Sequence, residues 1–166
     1  MAVVETKATA ISNRDASPRI ISDALIVKGD MQEACGAVES VSGDDIASKY
    51  YFASVPSNAR VSEVLLGCDG GNTTGAMDIG LYRSTIDGGV VVDADFFASA
   101  QVLTAALVNS DVTHESAVYD LGDSEKQLWE ALGLTEDPRV TYDVIGTLTA
   151  ASDAADSVVL KVRFVM

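Results

Sequence analysis

Val158-Val159-Leu160-Lys161-Val162-Arg163-Phe164-Val165 decides the fold. In an extended chain successive side chains point to opposite faces, so Val158, Leu160, Val162 and Phe164 share one side. Lys161 and Arg163 share the other with Val159 and Val165, the pattern of a half-buried strand. The segment before it reads the same way. Tyr142, Val144, Gly146 and Leu148 alternate with Thr141, Asp143, Ile145 and Thr147, although Ile145 makes that outer face less clean. Residues 139–150 and 157–165 together read as a hairpin with a longer loop between its strands.

Upstream, short apolar runs continue at Ala24–Val27, Ala34–Val41, Lys49–Val55, Arg60–Gly67, Ala76–Arg83 and Val90–Ala94. Turn-forming residues separate them: Lys28-Gly29-Asp30, Ser42-Gly43-Asp44-Asp45, Pro56-Ser57-Asn58, Asp69-Gly70-Gly71-Asn72, Asp87-Gly88-Gly89 and Ala151-Ser152-Asp153. Many short strands at turn spacing predict a mostly β fold, a β-sandwich or jelly roll. One helix is expected over Ser124–Leu132, capped by Asp123 or Ser124, with Leu128, Trp129 and Leu132 as its apolar stripe and Gly133 as its stop. Ala94–Ala100 suits helix or strand alike. No internal repeat points to a solenoid or propeller.

Residues 1–22 are polar and small, with Ser12-Asn13-Arg14-Asp15 and Ser17-Pro18 as turn signals and no amphipathic period. They read as an extended N-terminal arm ahead of a single domain over 23–166. Such an arm either frays or lies across a neighbouring subunit.

The 166 residues suit one domain, and 48% hydrophobic with 22% charged residues is the balance of a globular protein. The net charge is -14, and no Lys or Arg occurs between Arg83 and Lys126, where eight acids fall. That field repels phosphates, which excludes nucleic acid and anionic membrane surfaces as partners. A charge-driven partner is basic or cation-bridged. Residues 1–10 lack a signal peptide's pattern, and no run approaches the roughly 20 apolar residues of a membrane span, so the protein is expected to stay where it is made. Cys35 and Cys68 have no CxxC spacing, and two buried reduced thiols are expected; a disulfide between them stays open, because sequence does not give their separation.

Chemistry-bearing patterns are sparse. His114 is the one histidine, and no GxSxG elbow supplies it with a nucleophile. The Gly-rich stretch Gly67–Gly75 lacks the spacing of a phosphate loop and reads as a flexible inter-strand loop; its Asn72-Thr73-Thr74 acceptor pattern has no meaning without secretion. The acid pairs Asp44-Asp45 and Asp93 with Asp95 could in principle hold a divalent cation or act as a glycosidase pair. No EF-hand pattern supports the first, and 6% aromatic residues argue against a sugar-stacking groove for the second. No enzymatic activity, metal or cofactor is expected. In Tyr50-Tyr51-Phe52 the parity puts Tyr50 and Phe52 opposite Tyr51, so one face is core, and Trp129 is expected to dock the helix on the sandwich.

Three segments carry a resemblance: Ile11-Ser12-Asn13-Arg14-Asp15-Ala16, Phe52–Ser62 running into Val64-Leu65-Leu66, and Leu128-Trp129-Glu130-Ala131-Leu132-Gly133-Leu134 before Tyr142-Asp143-Val144. Together they resemble small tailed-phage virion proteins, among them capsid decoration, or cement, proteins. The resemblance implies a jelly-roll-like fold and a homodimer or homotrimer that binds the major capsid protein from outside and bridges its subunits. It further implies synthesis in the host cytoplasm, residence on the virion exterior, and no catalytic residue. The arm residues Asn13, Arg14, Asp15 and Arg19 are the candidate capsid-contacting set. The alternative is a glycan- or receptor-binding sandwich of a fibre or baseplate.

Overall fold

A computed structural model describes residues 6–166; the first five residues of the arm lie outside the described residues. Eight strands form two four-stranded antiparallel sheets: β1 (Met31–Ser40), β2 (Lys49–Pro56), β3 (Arg60–Cys68), β4 (Ala76–Arg83), β5 (Val91–Val102), β6 (Leu107–Asp111), β7 (Thr141–Ala150) and β8 (Asp156–Val165). One sheet has the order β1-β8-β3-β6, the other β2-β7-β4-β5. The first strand pairs with the last, β2 with β7, β3 with β6 and β4 with β5. That is a jelly roll, a long antiparallel ribbon wound until its two halves face one another.

The winding corrects the expected C-terminal hairpin. β7 and β8 each have the predicted alternation, but they lie in opposite sheets, β7 between β2 and β4 and β8 between β1 and β3. Period-two patterning reports which face of a strand is buried and carries no information about its neighbour. Val158, Leu160, Val162 and Phe164 do face the core, as do Tyr142, Val144 and Leu148 from the other sheet.

Where the sheets meet at the β1–β2 edge, Gly36 fits because a Cβ there would lie 2.0 Å from the Phe52 carbonyl oxygen. On the β4–β5 ladder the registers Leu81↔Asp93 and Ile79↔Ala98 leave residues 94–97 bulged opposite Gly80. The bulge resolves Ala94–Ala100 as strand, and it turns the consecutive Phe96 and Phe97 both inward. They meet edge to face at 5.0 Å, and Phe97 meets Tyr119 in the same way at 5.6 Å. Tyr119 hydroxyl donates to the Val61 carbonyl at 2.9 Å; burial pushes its pKa up to about 12. The sequence reading missed β6, a five-residue edge strand following an Ala-rich stretch.

The helices also differ from expectation. Ser124–Leu132 is not one helix: a 3-10 turn spans Leu121–Asp123, and α3 covers only Leu128–Ala131 (α1 and α2 lie in the arm, below). Asp123 is occupied in the turn's capping box with Asp120 and accepts from Lys126 Nζ at 2.5 Å. The helix starts later because the Leu128 and Trp129 amides donate to the Ala59 and Ser57 carbonyls, and Gln127 with Glu130 forms its capping box. Leu128 is the buried anchor; Trp129 is half-buried, its indole donating to Gln127 Oε1 at 2.8 Å.

Candidate functional site

The ladder registers sort the loops onto two ends. Arg60 and Met31 both pair with Val165, Pro56 with Thr141, Arg83 with Tyr142 and Tyr82 with Val91. One end therefore gathers the arm, the 57–59 link, the 84–90 turn and α3. The opposite end gathers the 41–48, 69–75 and 151–155 loops.

The arm is not extended throughout, and it runs past residue 22 up to the start of β1 at Met31. Helix α1 (Thr9–Asp15) and helix α2 (Ala24–Val27) are joined by a chain that folds back, with the Ile20 amide donating to the Asn13 carbonyl at 3.1 Å and Asn13 Nδ2 to Ser22 Oγ at 3.2 Å. Asp23 caps α2 by accepting from the Leu25 amide at 2.8 Å. Asp15 accepts from both Lys7 Nζ and Arg14 Nε, each at 2.8 Å, and these two cations hold its carboxyl well below the usual range. The arm is tied to the body by Arg60, which donates to the Leu25 and Ser124 carbonyls, and by Thr9 Oγ1 donating to Glu125 at 2.8 Å.

Of the four candidate residues, Asn13 and Asp15 thus hold the arm's own shape, whereas Arg14 and Arg19 line a groove of about 560 Å³ with Ile11, Ile20, Ile21, Val27 and Lys28. Sequence reasoning passed over the isoleucines; the signal was Ile20-Ile21, two large apolar residues in a segment without period. Ile21 is 93% exposed and Ile86, at the tip of the 84–90 turn, 97%. Ser84 caps that turn by accepting from the Asp87 amide, and Gly88 and Gly89 close it at positive φ, 96° and 61°. Met31, Val90, Val91, Leu121, Leu134 and Met166 add exposed apolar surface on the same end. Exposed apolar residues also occur elsewhere, Val41, Ile46, Val102 and Val108 among them, but here they line a groove and tip a turn on one end.

Charge separates the arm from the body. Residues 1–30 hold four Lys or Arg against four Asp or Glu, while residues 31–166 hold seven against 21, the whole net -14.

A scan of protein-family models and a search of curated proteins found no match. Among solved structures, the chain is similar to one titled "Cyanophage Pam1 capsid asymmetric unit", with a TM-score of 0.49 and 16% identity over 83% of this chain and 86% of that one.

The opposite end is organised by a buried polar network, in which Thr149 Oγ1 and Asp156 Oδ1 are left without a partner, while Val41 and Ile46 of the 41–48 loop are exposed. Asn72 is buried; its Oδ1 accepts from Ser152 Oγ at 2.7 Å and from the Asp153 and Ala154 amides, and its Nδ2 donates to Asp156 at 3.2 Å. The Gly67–Gly75 stretch is accordingly pinned to the 151–156 segment rather than loose, and Thr73 also donates to Asp153. Asp44 accepts from the Val41 amide and from Tyr50 hydroxyl at 2.7 Å, which lowers its pKa. Asp93 lies half-buried beside Asp95, and desolvation plus that neighbour raise its pKa. Among the described residues no group of three His, Cys, Asp or Glu is placed to hold a metal ion, and no helix is long and apolar enough to cross a membrane.

His114 is held in its loop, its Nδ1 2.8 Å from the Tyr119 carbonyl oxygen and its ring stacked on Tyr119 at 5.1 Å. The two cysteines are both free; Cys68 is buried as expected, but Cys35 is exposed because its position on β1 points outward.

Proposed function

We propose that this chain is a non-enzymatic virion protein that binds the outside of a tailed-phage capsid as a homodimer or homotrimer and bridges neighbouring major-capsid subunits. The observation that carries the reading is the N-terminal arm: charge-balanced, with Arg14 and Arg19 at an apolar groove, on a body that holds the whole net -14. A protein of that kind lays its apolar end on a shell and turns an acidic surface to solvent. The resemblance of the three segments to small tailed-phage virion proteins supplies the partner class. Bridging relies on many modest contacts whose avidity accumulates on one shell, so affinity for assembled capsids exceeds that for free subunits. The anchoring of His114 on Tyr119 favours a structural histidine over a catalytic one.

Cosedimentation with assembled capsids, with free capsid subunits, and with a chain lacking residues 1–22 tests the proposal. Binding to assembled capsids that weakens on truncation is expected. No capsid binding, together with retention on a glycan array, would instead favour a receptor-binding sandwich; turnover in a hydrolase panel that vanished in a folded His114→Ala variant would end the non-enzymatic reading.

A further inference from the structure

We propose that the Ile86 turn of one copy docks into the arm groove of a second copy. This goes beyond capsid binding and stands apart from it.

The two surfaces are complementary in shape and sign. Ile86 is 97% exposed on a turn that its Ser84 cap and two positive-φ glycines hold in one shape, an arrangement that presents the side chain and gives it nothing to pack on within the chain. The groove offers Ile20, Ile21 and Val27, all more than half exposed. Burying such an apolar anchor in a complementary pocket is the usual source of an interface's affinity. The turn carries one carboxylate, Asp87, beside Ile86, whereas the groove carries Arg14, Arg19 and Lys28. Among the described residues Arg19 and Lys28 make no ion pair, which leaves them to meet Asp87.

Turn and groove are different patches on the same end of the jelly roll, so the contact is either returned, the second copy's turn entering the first copy's groove about a two-fold axis, or passed on to a third copy in a ring.

Sedimentation velocity on the full chain over a wide concentration range, with Ile86→Asp alongside, tests the interface. The wild type is expected to assemble, and Ile86→Asp to weaken assembly about tenfold or more with its circular dichroism unchanged. In a Cys35→Ser background, Ile86→Cys chains mixed with Ile21→Cys chains are expected to form a mixed disulfide on treatment with diamide. A wild type that stays monomeric, assembly that survives Ile86→Asp, or assembly without the mixed disulfide would overturn the proposal. A monomer whose capsid binding is lost in Ile86→Asp would assign the turn to the capsid, overturning this interface and sparing the capsid reading. Assembly as predicted by a chain that ignores capsids would do the reverse.

Discussion

Gly36 and Asp93 each show one residue setting a limit on its surroundings. At Gly36 the β1 backbone meets that of β2 so closely that any Cβ strikes the Phe52 carbonyl. Backbone atoms cannot swing aside as a side chain does, so Gly36→Ala is expected to lower stability by about 2 kcal/mol or more, read by chemical denaturation. Asp93 works in the opposite sense. Its folded pKa is raised, by desolvation and by Asp95, so it favours folding only when protonated and that benefit is lost as pH rises through the folded value. At neutral pH the carboxylate therefore weakens the fold. Asp93→Asn is expected to raise the melting temperature at pH 7, with the advantage shrinking as pH falls through the carboxylate range. Asp44, Asp137 and Asp153 have the contrary sign: hydrogen bonds depress their folded pKa values, and the stability they give is present above the ordinary carboxylate pKa and lost as pH falls. A melting curve for Asp93→Asn that matched wild type at pH 7 would show the pair to be fully solvated.

Elements were legible in the sequence to the degree that burial alone shapes them. The strands β2, β3, β4, β7 and β8 lie where alternation and turn residues place them, because each has one face on the core. β5 was ambiguous since its bulge breaks the period at Phe96-Phe97, and the bulge exists because of Gly80 on a strand distant in sequence. α3 was placed too early for a similar reason: its first amides bond the 57–59 link, a partner that local sequence does not announce. The 69–75 loop shows how much a single side chain can organise between elements. Asn72 serves three donors and one acceptor from the 151–156 segment, so Asn72→Ala leaves several buried groups without partners. A loss of about 2–4 kcal/mol is expected by denaturation, with faster amide exchange in both loops. An unchanged midpoint would mean that water replaces the amide without penalty.

For the whole molecule, the sequence disclosed a sandwich but not its winding. A jelly roll joins residues far apart in the chain, Met31 with Val165 for example, and nothing in a strand's own pattern names that partner. The candidate site was half legible: the arm and its arginines stood out as polar and unpatterned, while the groove and the Ile86 turn required the chain to be folded before they shared an end. That shared end, with its apolar groove and exposed turn, is the centre of the account as the proposed docking surface. Hydrogen exchange of the full-length chain, free at a dilution where it is monomeric and bound to assembled capsids, tests it most directly. Protection on binding is predicted across residues 9–31 and 84–91, with the 69–75 and 151–156 loops unchanged; protection confined to those two loops, or none at the arm, would contradict it.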